Sequence, residues 1–423
     1  MNGGRVIRIA LAFIAGVTAT FTALADPLPR PGQRFEIRPS DMPAPFATGS
    51  AGNRPSTITL GPFVVPDVPE GFTANRFAEG LAHARWMTVA PGGEVFLAEP
   101  RAGRVSLLID RDLDGKADEH HIFASGLNRP HGLALRGEYL YVADPKHVWR
   151  YRWKPGLTHA EHPPQPVTPA TALGGSGGHW TRNIAFSPDG KGLFAAIGSA
   201  GNIGEDPPPR AAIIRFEFDE YRGEAFDGRV YASGLRNPVG IAFHPDTGQL
   251  YTVVNERDGL GDELVPDYLT SVLDGGFYGW PYAYIGPNPQ PDFAERRPDL
   301  VRKAIVPDLL FRSHSAPLGL VFAKDMDVPA AWKDDAFVAL HGSWNAAEPR
   351  GYMVVRVPFA NGRPEGWYES FATGFHVRTK EGMFIKKAAE VWGRPAGLAV
   401  AADGSLLIAD DVANVIWRVS RNK

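Results

Sequence analysis

The chain has no cysteine among its 423 residues. Disulfides, thiolate zinc sites, cysteine-held iron–sulfur clusters and covalent c-type haem are therefore excluded. A dominant charge is also missing. Lys and Arg number 44 against 47 Asp and Glu, a formal net charge of −3, so nothing global points to nucleic acid or to an anionic membrane surface. Beyond the N-terminus no apolar run is long enough for a bilayer span.

Turn-forming residues are abundant. The 47 Gly and 38 Pro are spread along the chain, which suits many short strands and turns better than long helices. At 44% hydrophobic the chain can bury a large core. Length alone suggests two or three domains, but a repeat fold breaks that rule.

The N-terminus carries Arg5 and Arg8, an apolar or small stretch over Ile9–Thr22, and Ala23-Leu24-Ala25 before Asp26. That order predicts a signal peptide over residues 1–25 and export to the periplasm or medium. The rival is a single membrane anchor. Residues 26–69, rich in Pro and polar groups, read as an extended leader with one edge strand within Thr57–Val65. Phe72–Phe77 is placed as a strand that closes a ring against the C-terminal repeat.

Over residues 70–423 one phrase recurs: a polar lead-in, a short apolar strand, a Gly/Asp turn and a second apolar strand ending in a polar residue. It starts at Ala84, Arg129, His179, Arg236, Ser315 and Arg394. Third strands follow as RVSLLID, HVWRYRW, AIIRFEF, YMVVRV and VIWRV. Such repetition predicts an all-β, six-bladed β-propeller. A β-sandwich is the alternative, and it does not call for the same phrase six times.

In a propeller the residues before each inner strand and after each second strand open onto one end of the central channel. The first group is Arg85, His131, His179 with Arg182, Arg236 with Asn237, His314 with Ser315, and Arg394. The second is Glu99, Asp144, Ser199, Asn255 with Glu256, His341 with Trp344, and Asp410 with Asp411. Arginines gathered in a chain of negative net charge suggest a small anionic ligand. The carboxylates and amides among them suit a hard cation such as calcium. The plainer reading is that each caps a strand end. His179 follows a Gly/Ser run (GGSGGHWTRN), and a histidine at a channel mouth is a candidate general base.

GLRNPVGIAFHP, NERDGLGDEL, GGFYGWP, GGHWTRN and HGSWN resemble the soluble glucose/sorbosone dehydrogenase family, over about Glu70 to Arg418. The resemblance implies a soluble periplasmic enzyme that uses pyrroloquinoline quinone (PQQ) and calcium to oxidise an aldose or sugar aldehyde. It makes His179 the catalytic base. Arg236 and Asn237 meet the quinone oxygens, Asp262 and Tyr278 contact the cofactor, and Arg394 binds a carboxylate of the cofactor or the substrate side. The Glu256–Gly259 turn, through Asp258 and Gly259, helps hold calcium. The family's cofactor lysine is absent, and Arg350 stands nearest to it. The family's substrate glutamine has His131 or Asn128 as neighbours, and His131 is grouped with the cofactor residues. With no cysteine for a fused haem, electrons leave to a separate acceptor.

Two further readings belong to other classes. One is a calcium-dependent lactonase on the same frame with Glu99, Asn183, Asn237 and Asp410 as ligands. The other is a non-catalytic binding propeller. Separately, Asp110–His121 (DRDLDGKADEHH) resembles a calcium loop, with Asp110, Asp112, Asp114 and Gly115 in place and His121 where glutamate is expected. A plain connecting turn fits it equally well.

Overall fold

Apolar residues fill both faces of the second strand in each repeat, and the structure explains why. In this computed structural model, which describes Met1 and residues 28–382 and 385–422, the strands Val95–Glu99, Leu250–Val254, Ala336–Leu340 and Leu406–Asp410 are buried at every position. Each lies inside a sheet that has another sheet packed on either side. The signal-peptide expectation for residues 1–25 falls, apart from Met1, outside the described residues.

The fold is all-β. Six sheets of four or five strands carry it. The first is built from Trp86–Val89, Val95–Glu99, Arg104–Ile109 and Glu119–Ala124 as an antiparallel meander. The next four begin at Leu133–Arg136, Arg182–Phe186, Pro238–Phe243 and Pro317–Phe322 and repeat that order. The sixth is composite. Pro395–Val400, Leu406–Asp410 and Val415–Arg421 come from the C-terminus, and Phe72–Ala78 adds the fourth strand in register from Phe72 opposite Arg421 to Ala78 opposite Ile416. Pairing the two ends of the chain in one sheet ties them by backbone hydrogen bonds rather than by a loop.

Core clusters sit between successive sheets. Trp86, Phe96 and Phe123 of the first meet Leu140, Tyr151 and Trp153 of the second. Phe77, Leu407 and Ile416 of the sixth meet Met87, Leu97 and Leu108 of the first. The innermost strands touch closely. A Cβ on Gly240 would lie 2.5 Å from the Leu318 carbonyl oxygen, and one on Gly397 would lie 2.3 Å from that of Arg85. Only a residue without a side chain permits that approach, which accounts for the glycine inside the innermost strands Pro238–Phe243 and Pro395–Val400.

The leader is extended but not loose. Arg34–Phe35 pairs with Tyr368–Glu369. Asn53 donates to Ala346 O at 2.9 Å, and its own N–H bonds Trp344 O at 2.7 Å. The edge strand expected within Thr57–Val65 is shorter: only Ser56–Thr57 pairs, in parallel, with Glu390–Val391. Pro62 and Pro66 flank the rest, and proline supplies no ladder N–H.

Asp110, Asp112 and Asp118 bring carboxylate oxygens within 4.8 Å of one another. Their loop already supplies partners: Gly115 N–H to Asp110 Oδ2 at 2.9 Å, Asp114 N–H to Asp112 Oδ1 at 3.1 Å and Arg111 N–H to Asp118 Oδ2 at 2.7 Å. Asp114, expected as a ligand, lies outside that group. No helix among the described residues is long and apolar enough to cross a membrane.

Candidate active site

The lead-ins of the inner strands do converge. They line two adjoining open cavities. One, of about 420 Å³, carries His179, Arg236, Asn237, Asp258 and His314. The other, of about 610 Å³, carries His83, Arg101, Arg129 and Asp411. Arg85, Trp180, His341 and Arg394 line both.

The Gly/Ser run before His179 is held by two arginines. Arg182 is fully buried, and its guanidinium donates to Leu173 O at 2.6 Å, Gly175 O at 2.7 Å and His179 O at 2.8 Å. Arg210 adds bonds to Gly175 O at 3.1 Å and Gly198 O at 3.2 Å. A glycine loop alone would be mobile; clamped carbonyls fix the backbone that carries the histidine.

The tautomer of His179 follows from its partners. Nδ1 lies 3.0 Å from both Ser199 O and Ser199 Oγ. A carbonyl only accepts, and the Ser199 hydroxyl spends its proton on Gly201 O at 2.6 Å. The proton is therefore on Nδ1, and Nε2 presents a lone pair. Burial, then the charge of Arg236, lowers the ring from its ordinary 6.5 to about 4, so the imidazole is neutral at pH 7.

Arg236 is oriented by Asn202, with Nε to its carbonyl at 3.0 Å and Nη2 to its Oδ1 at 2.9 Å, and by Asn255 O at 3.2 Å. Its Nη2 stands 3.8 Å from Asp258 Oδ2. Asp258 also meets His314 Nδ1 at 3.4 Å and the Asn345 amide. Burial opposes ionisation of both partners, but the pairing outweighs it: Asp258 is lowered and His314 raised. Beside them Glu256 is pushed up to about 7, by burial against the pull of Arg236. Glu256 Oε1 and Asn237 Oδ1 are buried acceptors without a donor.

On the other side Asp411 anchors Arg85 at 2.7 Å, His341 at 2.9 Å and His83 at 3.4 Å. Both histidines are lowered to about 4, chiefly by burial, so they too are neutral at pH 7. Arg394 is turned into the site by bonds to His341 O at 2.8 Å and to Gly342 O. His83, Arg129 and His314 have φ of 64°, 52° and 65°, strained positions of the kind that gather at ligand sites.

Several expected residues stand elsewhere. Asp262 and Arg350 face each other at 2.8 Å, with Glu263 sharing the guanidinium. Their charges are spent on that buried pair, and neither lines the two cavities. Tyr278 is fully buried in a core cluster, its hydroxyl donating to Ser271 O at 2.5 Å and accepting Leu273 N–H at 3.0 Å. His131 is buried beneath the rim between Trp86 and Trp180, ring centroids at 5.2 and 5.5 Å. The Asp258 carbonyl, expected on calcium, already takes Asn202 Nδ2 at 2.9 Å and Arg257 Nε at 3.1 Å.

The post-strand acids split in the same way. Glu99 holds Arg104 and Ser106, Asp144 takes Trp149 Nε1 at 2.9 Å and Asp410 takes Trp417 Nε1 at 3.2 Å. With Glu99 and Asp410 so engaged, the lactonase ligand set loses two of its four members. Asn202, Asn345, His83 and Trp180 were missed. Trp180 adjoins His179 and Asn345 ends HGSWN, so both had a signal; Asn202 had none.

A family model described as TrAA12-like matches residues 66–266 and 299–422. A pyrroloquinoline quinone-dependent pyranose dehydrogenase of Coprinopsis cinerea is 26% identical over 84% of this chain and 54% of its own. The chain spans 54–61% of the length of the curated relatives it matches. The holo pyranose dehydrogenase PQQ domain of Coprinopsis cinerea superposes with a TM-score of 0.68 at 22% identity, covering 87% of this chain and 99% of that one. The calcium structure of the Trichoderma reesei family AA12 enzyme gives 0.67 at 20% identity, covering 87% and 100%. At those identities the structures speak to the fold, a PQQ-dehydrogenase type of β-propeller, while the matched model spans most of the chain and places it in the TrAA12-like family.

Proposed function

We propose that the protein is an exported dehydrogenase that oxidises an aldose or sugar aldehyde with PQQ and calcium, at the mouth of a closed six-bladed propeller. The observation that carries this reading is His179, a neutral imidazole with Nδ1 locked on Ser199 and Nε2 presented among arginines.

The donor set suits PQQ, a planar quinone with carboxylates. Arg85, Arg236 and Arg394 line one cavity together. Arg236 spends three N–H groups on Asn202 and Asn255, and a guanidinium has five. Arg236 and Asn237 then face the quinone oxygens, and Arg85 and Arg394 the carboxylates. Calcium suits the two orphaned acceptors, Glu256 Oε1 and Asn237 Oδ1, which are hard oxygen donors, better than it suits the occupied Asp258 carbonyl. The calcium-bearing Trichoderma reesei neighbour supports the same ion. PQQ supplies a two-electron acceptor, with calcium polarising it.

The chain's own work is proton removal and positioning. Oxidation at the anomeric carbon breaks one O–H and one C–H bond. His179 takes the hydroxyl proton at Nε2, and hydride leaves the carbon with the bonding pair. A ring at about 4 is a weak base at pH 7. Carboxylates held on Arg85 and Arg394, which line the same cavity as His179, would oppose the positive charge of Arg236 and return the ring toward its ordinary value. His131, Asp262, Tyr278 and Arg350 support the site from behind.

The test is reconstitution. The full chain is mixed with PQQ and calcium, and dye reduction is followed with a panel of aldoses. No affinity for PQQ and no dye reduction refutes the reading. His179→Ala should abolish turnover and still bind PQQ; loss of the cofactor instead removes the base assignment.

A further inference from the structure

Beside Arg85 and Arg394, which the cofactor's carboxylates would take, the larger cavity carries two further arginines. Four arginines (Arg85, Arg101, Arg129 and Arg394) face a single aspartate in it. Asp411 is already matched by Arg85 at 2.7 Å. His83 and His341 are lowered to about 4 and add no charge at pH 7. Arg101 and Arg129 are exposed, have no ion pair among the described residues and line only this cavity, not the one that holds His179, Arg236 and Asn237. Between the two cavities stands Trp180, with the guanidinium carbons of Arg85 and Arg129 each 5.8 Å from its ring.

We infer that the sugar this site takes carries an anionic group remote from its anomeric carbon, such as the carboxylate of a uronic acid, held by Arg101 and Arg129 while the pyranose ring lies on Trp180. The inference rests on the dehydrogenase reading for the reacting end of the sugar and names its substrate class. Guanidinium groups pair with carboxylate or phosphate in a forked geometry. An indole face flanked by cations suits a flat stack of C–H groups tethered to an anion. A neutral aldose gives Arg101 and Arg129 nothing to bind.

Calorimetric titration of the full chain, without cofactor, with galacturonate, galactose 6-phosphate and galactose tests this. Both acidic sugars should bind more tightly than galactose, the stronger of them telling carboxylate from phosphate. The advantage should shrink as salt is raised. Arg101→Gln and Arg129→Gln, exposed positions whose loss leaves no acid unpaired, should each weaken the acidic sugar roughly threefold, and about tenfold together. Equal affinity for galactose and galacturonate overturns the inference. So does loss of PQQ affinity in the two variants with no change toward galacturonate, since the arginines would then serve the cofactor. Dye reduction with PQQ and calcium separates the two claims. Turnover of galactose without binding or turnover of either acidic sugar sinks this inference and leaves the dehydrogenase reading standing. Binding of acidic sugars with no turnover of any sugar supports the anion site and sinks the dehydrogenase reading.

Discussion

Replacing His179 by asparagine should change how the protein's stability responds to acid. The asparagine amide can donate to Ser199 O as Nδ1–H does, so folding is preserved while the titrating ring is removed. In the folded chain the ring protonates near 4 instead of 6.5, because of burial and then Arg236. The unfolded chain binds that proton near the ordinary value. Between those two values the unfolded state therefore holds more protons, and the wild type loses stability as pH falls. The difference corresponds to about 3 kcal/mol, fully lost once pH drops through the folded value. The variant lacks this term, so its stability relative to wild type should rise by about 3 kcal/mol between pH 7 and pH 4. Taking the difference cancels Glu256, Asp267 and Asp410, which are raised to about 7, 6 and 6 and titrate in the same window. Urea unfolding followed by tryptophan fluorescence at four pH values gives the curve. A gap that stays flat from pH 7 to pH 4 would mean that the folded ring charges as freely as the unfolded one, and the argument that burial and Arg236 hold it neutral would be refuted.

Three other outcomes follow from the packing and the charges. Arg350→Met should destabilise by about 3–5 kcal/mol, since it strands the buried carboxylate of Asp262, while PQQ affinity in equilibrium titration stays as in wild type; a selective loss of PQQ would restore Arg350 to the cofactor. Gly397→Ala drives a Cβ to 2.3 Å from Arg85 O and should cost about 1–3 kcal/mol by overpacking the sixth sheet against the first, read as a lowered urea midpoint. Binding of PQQ should raise the titration point of His179 above about 4, seen by nitrogen-15 NMR of the ring; an unchanged value places the carboxylates away from the cavity that His179 lines.

The repeat was legible in the sequence because propeller-type packing writes itself into composition. A strand with sheets on both faces is buried at every position and so mostly apolar, and LYTVV and AFVAL read as strands without any alternation. The glycine in GLA, GIA and GLV could be noticed but not explained, because its reason is a carbonyl from the neighbouring sheet. The same logic located the rim. His179, Arg236, Asn237, His341 and Arg394 all line the cavities, because strand ends are fixed by where the apolar runs stop.

Direction was the part that spacing did not encode. Glu99, Asp144 and Asp410 end or directly follow their second strands, whereas Glu256 lies two residues past its own, where Val254 pairs as Asp410 does; the first three are turned onto side chains of their own sheets: Arg104 and Ser106, Trp149, and Trp417. Each of those partners lies five to seven residues further on, at the start of or within the third strand. At that distance from Glu256 stand Gly261, Asp262 and Glu263, in a loop, and the third strand of its sheet begins only at Tyr268. Its carboxylate keeps Oε1 without a partner and is left to the cavity. An acid at the end of a second strand is thus structural, and one that lies two residues beyond the strand is available to a ligand. By this rule Glu256→Gln should disturb calcium affinity, and Asp410→Asn, which weakens the acceptor for Trp417 Nε1 and three backbone N–H groups, should lower stability instead. Calcium titration and urea unfolding on the two variants would show the reverse pattern if the rule were wrong.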